Sequence, residues 1–116
     1  MNVICITGNL CKDLKITYTK NRKAVVENTI GVAKDKVNED GTRSADFIDF
    51  VVFEKKAEYL NTYAKKGDKV EINGKLRVDT WKDESGESHK RTYVVGDSIK
   101  ILTSRPKEIK TEEVPF

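Results

Sequence analysis

The 116-residue chain has one tryptophan, one methionine, one histidine and two prolines, and each scarcity excludes something. Two cysteines, Cys5 and Cys11, are too few for a disulfide framework. Their spacing is not that of a zinc pair, and the sole histidine, His89, is remote from both in sequence. Cys5 reads as a small hydrophobe in a strand and Cys11 as a loop thiol, and neither is assigned any chemistry. No apolar run approaches a membrane span, and the start MNVIC lacks a basic region followed by an apolar region and a cleavage site. A cytoplasmic protein with no membrane contact is expected. No metal site or acid/base pair is legible either: Asp46 and Asp49 fall on opposite faces of one strand, and Asp83 with Glu84 sits in a turn. A non-enzyme without cofactors follows as the expectation.

What the chain does have is charge, at 35% of residues against 37% hydrophobic, which describes one soluble domain with a small core. The net charge is +3, and without the terminal EEVPF, which carries two acids and no base, the remainder stands at +5. A mildly basic body with an acidic tip is compatible with a polyanionic partner.

The stretch Lys69 to Val95 organises the rest. Two alternating runs are joined by the turn Asp83-Glu84-Ser85-Gly86, the signature of a long hairpin. Period-two alternation puts Leu76, Val78 and Thr80 on one face and Lys75, Arg77, Asp79 and Trp81 on the other. Trp81 thus shares a face with cations, which is the chemistry of a base-stacking platform. The hairpin alone also accommodates a Trp that covers a neighbouring strand or a subunit interface.

Earlier in the chain, Val3 to Thr7 predicts a strand that Gly8-Asn9 ends or bends, and Lys15 to Tyr18 a second short strand or its continuation. Ala24 to Ala33 predicts a strand with Gly31 at a bulge or bend. Lys34 to Ser44 reads as an exposed hairpin loop whose Lys34, Lys36 and Arg43 can gather phosphate or be plain solvated surface. Ala45 to Phe53 carries Ile48, Phe50 and Val52 on one face and Phe47, Asp49, Val51 and Phe53 on the other. Burying an unpaired Asp is costly, so the Asp49 face is the wetter one, and Phe47 and Phe53 on it either stand exposed for a function or are covered by a loop or a subunit.

Glu54 to Lys66 has the helical period through Ala57, Leu60 and Ala64, with Lys65 and Lys66 at its C-terminal end and Gly67 as a left-handed stop. Ser98 to Leu102 completes the last strand, and from Ser104 a charged, aperiodic flexible tail is expected. An all-β fold with one helix between the third and fourth strands of a five-stranded barrel is the arrangement of an OB-fold, with Gly74 letting its strand curl. The domain boundaries are 1–103 for the barrel and 104–116 for the tail.

With these pieces in place, the chain resembles the bacterial-type single-stranded DNA-binding proteins. The segments TGNLCKDLKITYT, DFIDFVVFEKKAEYLNTYAKKGDKVEINGKLRVDTWKDESG, RTYVVGDSIKIL and EEVPF carry the likeness over nearly its whole length. The resemblance implies stacking of bases on Trp81, Phe53 and Phe47, basic contacts from Arg77, Lys55 and Lys66, and Tyr63 beside the DNA path. It implies a homo-oligomer, a tetramer before a dimer, with Val3 to Thr7 as a pairing edge. It also implies that Glu112, Glu113, Val114, Pro115 and Phe116 form a tip that docks on replication, recombination and repair proteins. The chain departs from the family in its short linker and weakly acidic tip, which points to a compact, phage or mobile-element variant. Val37 stands where some members have a further Trp, and Cys11 where a small residue is common. An OB-fold accessory protein acting mainly through protein contacts is the alternative.

Overall fold

A computed structural model describes residues 1–103. The order is β1 (Ile4–Leu10), β2 (Ile16–Tyr18), β3 (Ala24–Val37), β4 (Arg43–Phe53), α1 (Glu54–Tyr63), β5 (Lys69–Lys82) and β6 (Ser88–Ile101). The strands run β1-β5-β6-β4-β3 and close through a β1–β3 pairing, with short β2 beside β3. This is the closed five-stranded OB-type barrel, with its helix between β4 and β5, that the sequence predicts. No helix among the described residues is long and apolar enough to cross a membrane.

The alternation in each strand fills the barrel. Phe50, Leu10, Ile30, Leu60, Ile72, Val26, Val52, Val70 and Val94 are fully buried. Ala57 and Leu60 of α1 seal the core, and the backbone N–H of Ile101 donates to the Tyr59 hydroxyl at 3.1 Å. Closing a small barrel demands close backbone approach at two glycines. A Cβ on Gly8 would lie 2.2 Å from the carbonyl oxygen of Gly31, and one on Gly74 2.0 Å from that of Val95. The β5–β6 register shifts at Asn73/Gly74, so Gly74 does mark the bend expected of it.

Several boundaries differ from the sequence reading. β1 does not stop at Gly8-Asn9; it passes through them, leaving β5 to reach β3 at Asn9 and Leu10. Lys34 to Ser44 is not one loop, because β3 continues to Val37 and β4 begins at Arg43, with a register shift between Ala33 and Val37. Backbone pairing there supplies what the charged side chains do not advertise. α1 ends at Tyr63, not Lys66, since Ala64 is already extended. Lys65 and Lys66 therefore lie beyond the helix, and Gly67, at φ 94°, serves the following turn, where its N–H donates to the carbonyl of Leu10. The tail from Ser104 and the tip Glu112 to Phe116 lie outside the described residues.

Candidate nucleic-acid interface

The hairpin fixes the first half of the site. Asp83 accepts hydrogen bonds from the N–H groups of Ser85 and Glu87 at 2.9 Å and from the Ser85 hydroxyl at 2.6 Å, while Gly86 takes φ 86°. These bonds, the Ser85 hydroxyl and His89 foremost, draw its carboxyl down to about 2. A tip so pinned sets the register Lys82↔Ser88, and hence Trp81↔His89, Asp79↔Arg91 and Arg77↔Tyr93. Paired residues share a face, so Trp81, Arg77 and Lys75 stand beside His89, Arg91 and Tyr93.

Their contacts organise that face. Trp81 and His89 stack with centroids 5.6 Å apart and planes at 21°. The Tyr93 hydroxyl donates to Asp79 at 2.9 Å, which raises the phenol pKa and keeps it protonated, and the Arg91 guanidinium lies 5.1 Å over the Tyr93 ring. Trp81 remains half exposed at 50%.

The opposite face of the hairpin departs from simple expectation. Leu76 and Val78 have the core parity but are exposed, on the part of β5 that runs on beyond the buried positions Val70, Ile72 and Gly74. Alternation reports which side a residue takes; burial needs a neighbouring layer.

β4 supplies the second half. The Thr29 hydroxyl donates to Asp49 at 2.8 Å, Phe53 is half-buried and Phe47 is 71% exposed. Val51, although on this face, is buried in register between Glu27 and Val95, where the sheet continues on both sides. Beside Phe47, the small residues Gly8, Gly31, Ala33 and Ala45, together with Lys69, line an open groove of about 530 Å³. At the far end of β4 the chain turns into α1 with no spacer, through Glu54 at φ 54°. That sharp turn leaves Phe53 on the sheet and puts Lys55 into the helix.

The two halves are one surface. β4 and β6 pair in parallel through Phe50↔Val94 and Val51↔Val95, which aligns the Phe47/Phe53 face with the Trp81/Arg77 face. Arg91 of β6 reaches Glu27 of β3 at 3.8 Å on that same side. An outer surface that carries Phe47 and Phe53 on β4 and Tyr93 and Trp81 on the hairpin, with Lys75, Arg77 and Arg91 alongside, suits a flexible polyanion that carries flat apolar groups.

The other sequence-predicted residues are more scattered. Lys34 forms an ion pair with Asp46 at 3.6 Å, on the side of the β3–β4 ribbon away from Phe47. Arg43 shares β4 parity with Phe47, but its guanidinium donates to the carbonyl of Asp35 at 3.2 Å and so braces the bulge. Lys36 is exposed on β3. Lys55 and Tyr63 are at opposite ends of α1, about 12 Å apart along its axis. Tyr63 packs against Tyr59 at 5.8 Å, and Lys66 is exposed in the turn after the helix. Strand register unites Trp81, Arg77, Phe53 and Phe47; Arg43 shares their face but spends its guanidinium on the bulge, and Lys55, Tyr63 and Lys66 lie outside the strands.

Sequence reasoning missed His89, Arg91 and Tyr93 as members of the surface. The signal was available: counting outward from the Asp83–Gly86 turn places each opposite Trp81, Asp79 or Arg77.

Comparison with known proteins adds a family to this geometry. Residues 1–102 match the model of the single-strand binding protein family. Among similar proteins, "Single-stranded DNA-binding protein 1" of Streptococcus pyogenes is 32% identical over 98% of this chain and 88% of its own length. "Single-stranded DNA-binding protein" of Streptococcus mutans is 33% identical over 90% of this chain, and its namesake of Helicobacter hepaticus 34% identical over 90%. Of those two this chain covers only 64% and 63%. The chain belongs to the single-strand binding protein family.

Proposed function

We propose that this protein binds single-stranded DNA without marked sequence preference and, without catalysing a reaction, coats transient single strands during replication, recombination and repair. One observation carries the reading. The Val51↔Val95 pairing makes the aromatics of β4 and of the hairpin a single exposed surface flanked by cations. In a duplex the base faces are hidden in the stack; in a single strand they are free to meet Phe47, Phe53 and Trp81. Lys75, Arg77 and Arg91 neutralise phosphates along the same path, with Lys55 and Lys66 contributing at its margin.

Assembly into a homo-oligomer, a tetramer before a dimer, is part of the proposal. Among the described residues, β1 from Ile4 to Gly8 is paired only to β5, and exposed Met1, Val3, Leu76 and Val78 add apolar surface near it. The Asn2 amide both donates to and accepts from the Leu76 backbone at 2.9 Å, tying the N-terminus to the base of the hairpin. Docking of protein partners on the EEVPF tip, in a nucleoid or replicon setting, completes the reading, with the acids meeting a basic rim and Phe116 an apolar pocket.

Trp81 is the only tryptophan, so its fluorescence tests the function directly. Titration with oligo-dT should quench it strongly and a matched duplex should not, with part of the affinity retained at high salt. Binding to neither DNA would overturn the proposal and favour an OB-fold accessory protein.

A further inference from the structure

The tip of the hairpin holds a side-chain cluster that meets the DNA surface through His89. Donor atoms of Asp83, Glu87 and His89 all lie within 4.8 Å of one another. We propose that these three side chains form a site for a borderline divalent transition-metal ion of the Zn²⁺ or Ni²⁺ class, next to Trp81.

The donor set is chemically apt. One imidazole nitrogen with two carboxylates suits Zn²⁺, Ni²⁺ or Cu²⁺ better than the all-oxygen preference of Mg²⁺ or Ca²⁺. Two of the three donors are already oriented. Asp83 spends Oδ1 on the turn and presents Oδ2 to His89 Nε2 at 2.7 Å, and the other side of the arrangement is fixed by the stack of His89 on Trp81. Donors around one such ion lie roughly 3 to 3.5 Å apart, a gap that rotation of the exposed Glu87 side chain closes. On binding, the ion takes the lone pair of Nε2 while the ring's single proton sits on Nδ1; where the ring starts as imidazolium, its second proton leaves to solvent. Positions not filled by the protein stay open to water.

The test uses the full chain, without DNA, titrated with NiCl₂ while Trp81 fluorescence and heat are followed. One Ni²⁺ per chain and saturable quenching are expected, because the paramagnetic ion would sit against the imidazole stacked on Trp81. His89→Gln and Glu87→Gln should each weaken binding by about tenfold or more, the scale on which even outer-shell partners act. Cys11→Ser should leave it unchanged. Melting curves would establish that both variants fold, and Glu87→Gln keeps the turn because only its backbone holds Asp83. Absence of saturable quenching, or Ni²⁺ binding by His89→Gln as tight as by the parent chain, would overturn the site.

Discussion

Val51 of β4 and Val95 of β6 lie side by side in parallel register, and this short contact joins two aromatic faces that are distant in sequence. Trp81 and Phe47 are thereby on the same side of the barrel wall. If the surface works as one, its rings should contribute comparably to binding.

Trp81→Ala, Phe53→Ala and Phe47→Ala should each weaken oligo-dT binding by about 1 to 3 kcal/mol. Trp81 and Phe47 are exposed, so their variants should melt with the parent chain; Phe53, half-buried, should lose some stability too. Binding isotherms beside thermal melts check this, and unchanged affinity in Trp81→Ala would remove that ring from the DNA path.

Arg77→Ala and Arg91→Ala should lower the salt dependence, each by about 0.7 in the slope of log K against log salt if one phosphate contact is lost. Arg91 also meets Glu27 and Tyr93, so its variant should show the smaller change if those contacts hold it back from DNA. Titrations at several salt concentrations separate the outcomes.

Gly74→Ala places a methyl 2.0 Å from the Val95 carbonyl oxygen, and Gly8→Ala one 2.2 Å from that of Gly31. Neither backbone can yield without opening the barrel, so each should cost about 1 to 3 kcal/mol or more. Gly41→Ala, with open space around it, should cost less, through its φ of 88° alone. Chemical denaturation of the three variants gives the ranking.

Val78→Glu and Leu76→Glu should shift the assembly toward smaller species, if the exposed apolar face of the hairpin is covered by another copy. Light scattering after gel filtration reads the mass directly. A parent chain that is monomeric at high concentration would refute the oligomer.

The carboxyl of Asp83 is depressed from 3.8 to about 2 on folding. A depressed acid contributes its order above the unfolded pKa and loses it as pH falls through the folded one. The amides of Ser85 and Glu87 should therefore keep their chemical shifts down to about pH 4 and lose them toward pH 2. Asp83→Asn should abolish that transition.

Much of this was legible because strand parity is local. Trp81 beside Arg77, Phe47 beside Phe53, Gly74 at a bend and α1 between two strands all follow from spacing over a few residues. Boundaries were less legible where ladder bonding overrides composition, as in the charged β3 end at Lys34 to Val37. The exposure of Leu76 and Val78 was illegible for a related reason, because burial depends on what another layer covers.

The sequence by itself therefore determined the strand faces, the hairpin turn, the helix position and the family, since each rests on residue type at short range or on the linear order of motifs. Only the tertiary structure decided that the β4 and β6 faces coincide, that Arg91, Tyr93 and His89 join Trp81, and that Lys34 and Arg43 turn to Asp46 and the bulge instead. Those outcomes depend on register between strands far apart in the chain, and register is set by barrel closure through Gly8 and Gly74, a constraint that no local window of sequence contains.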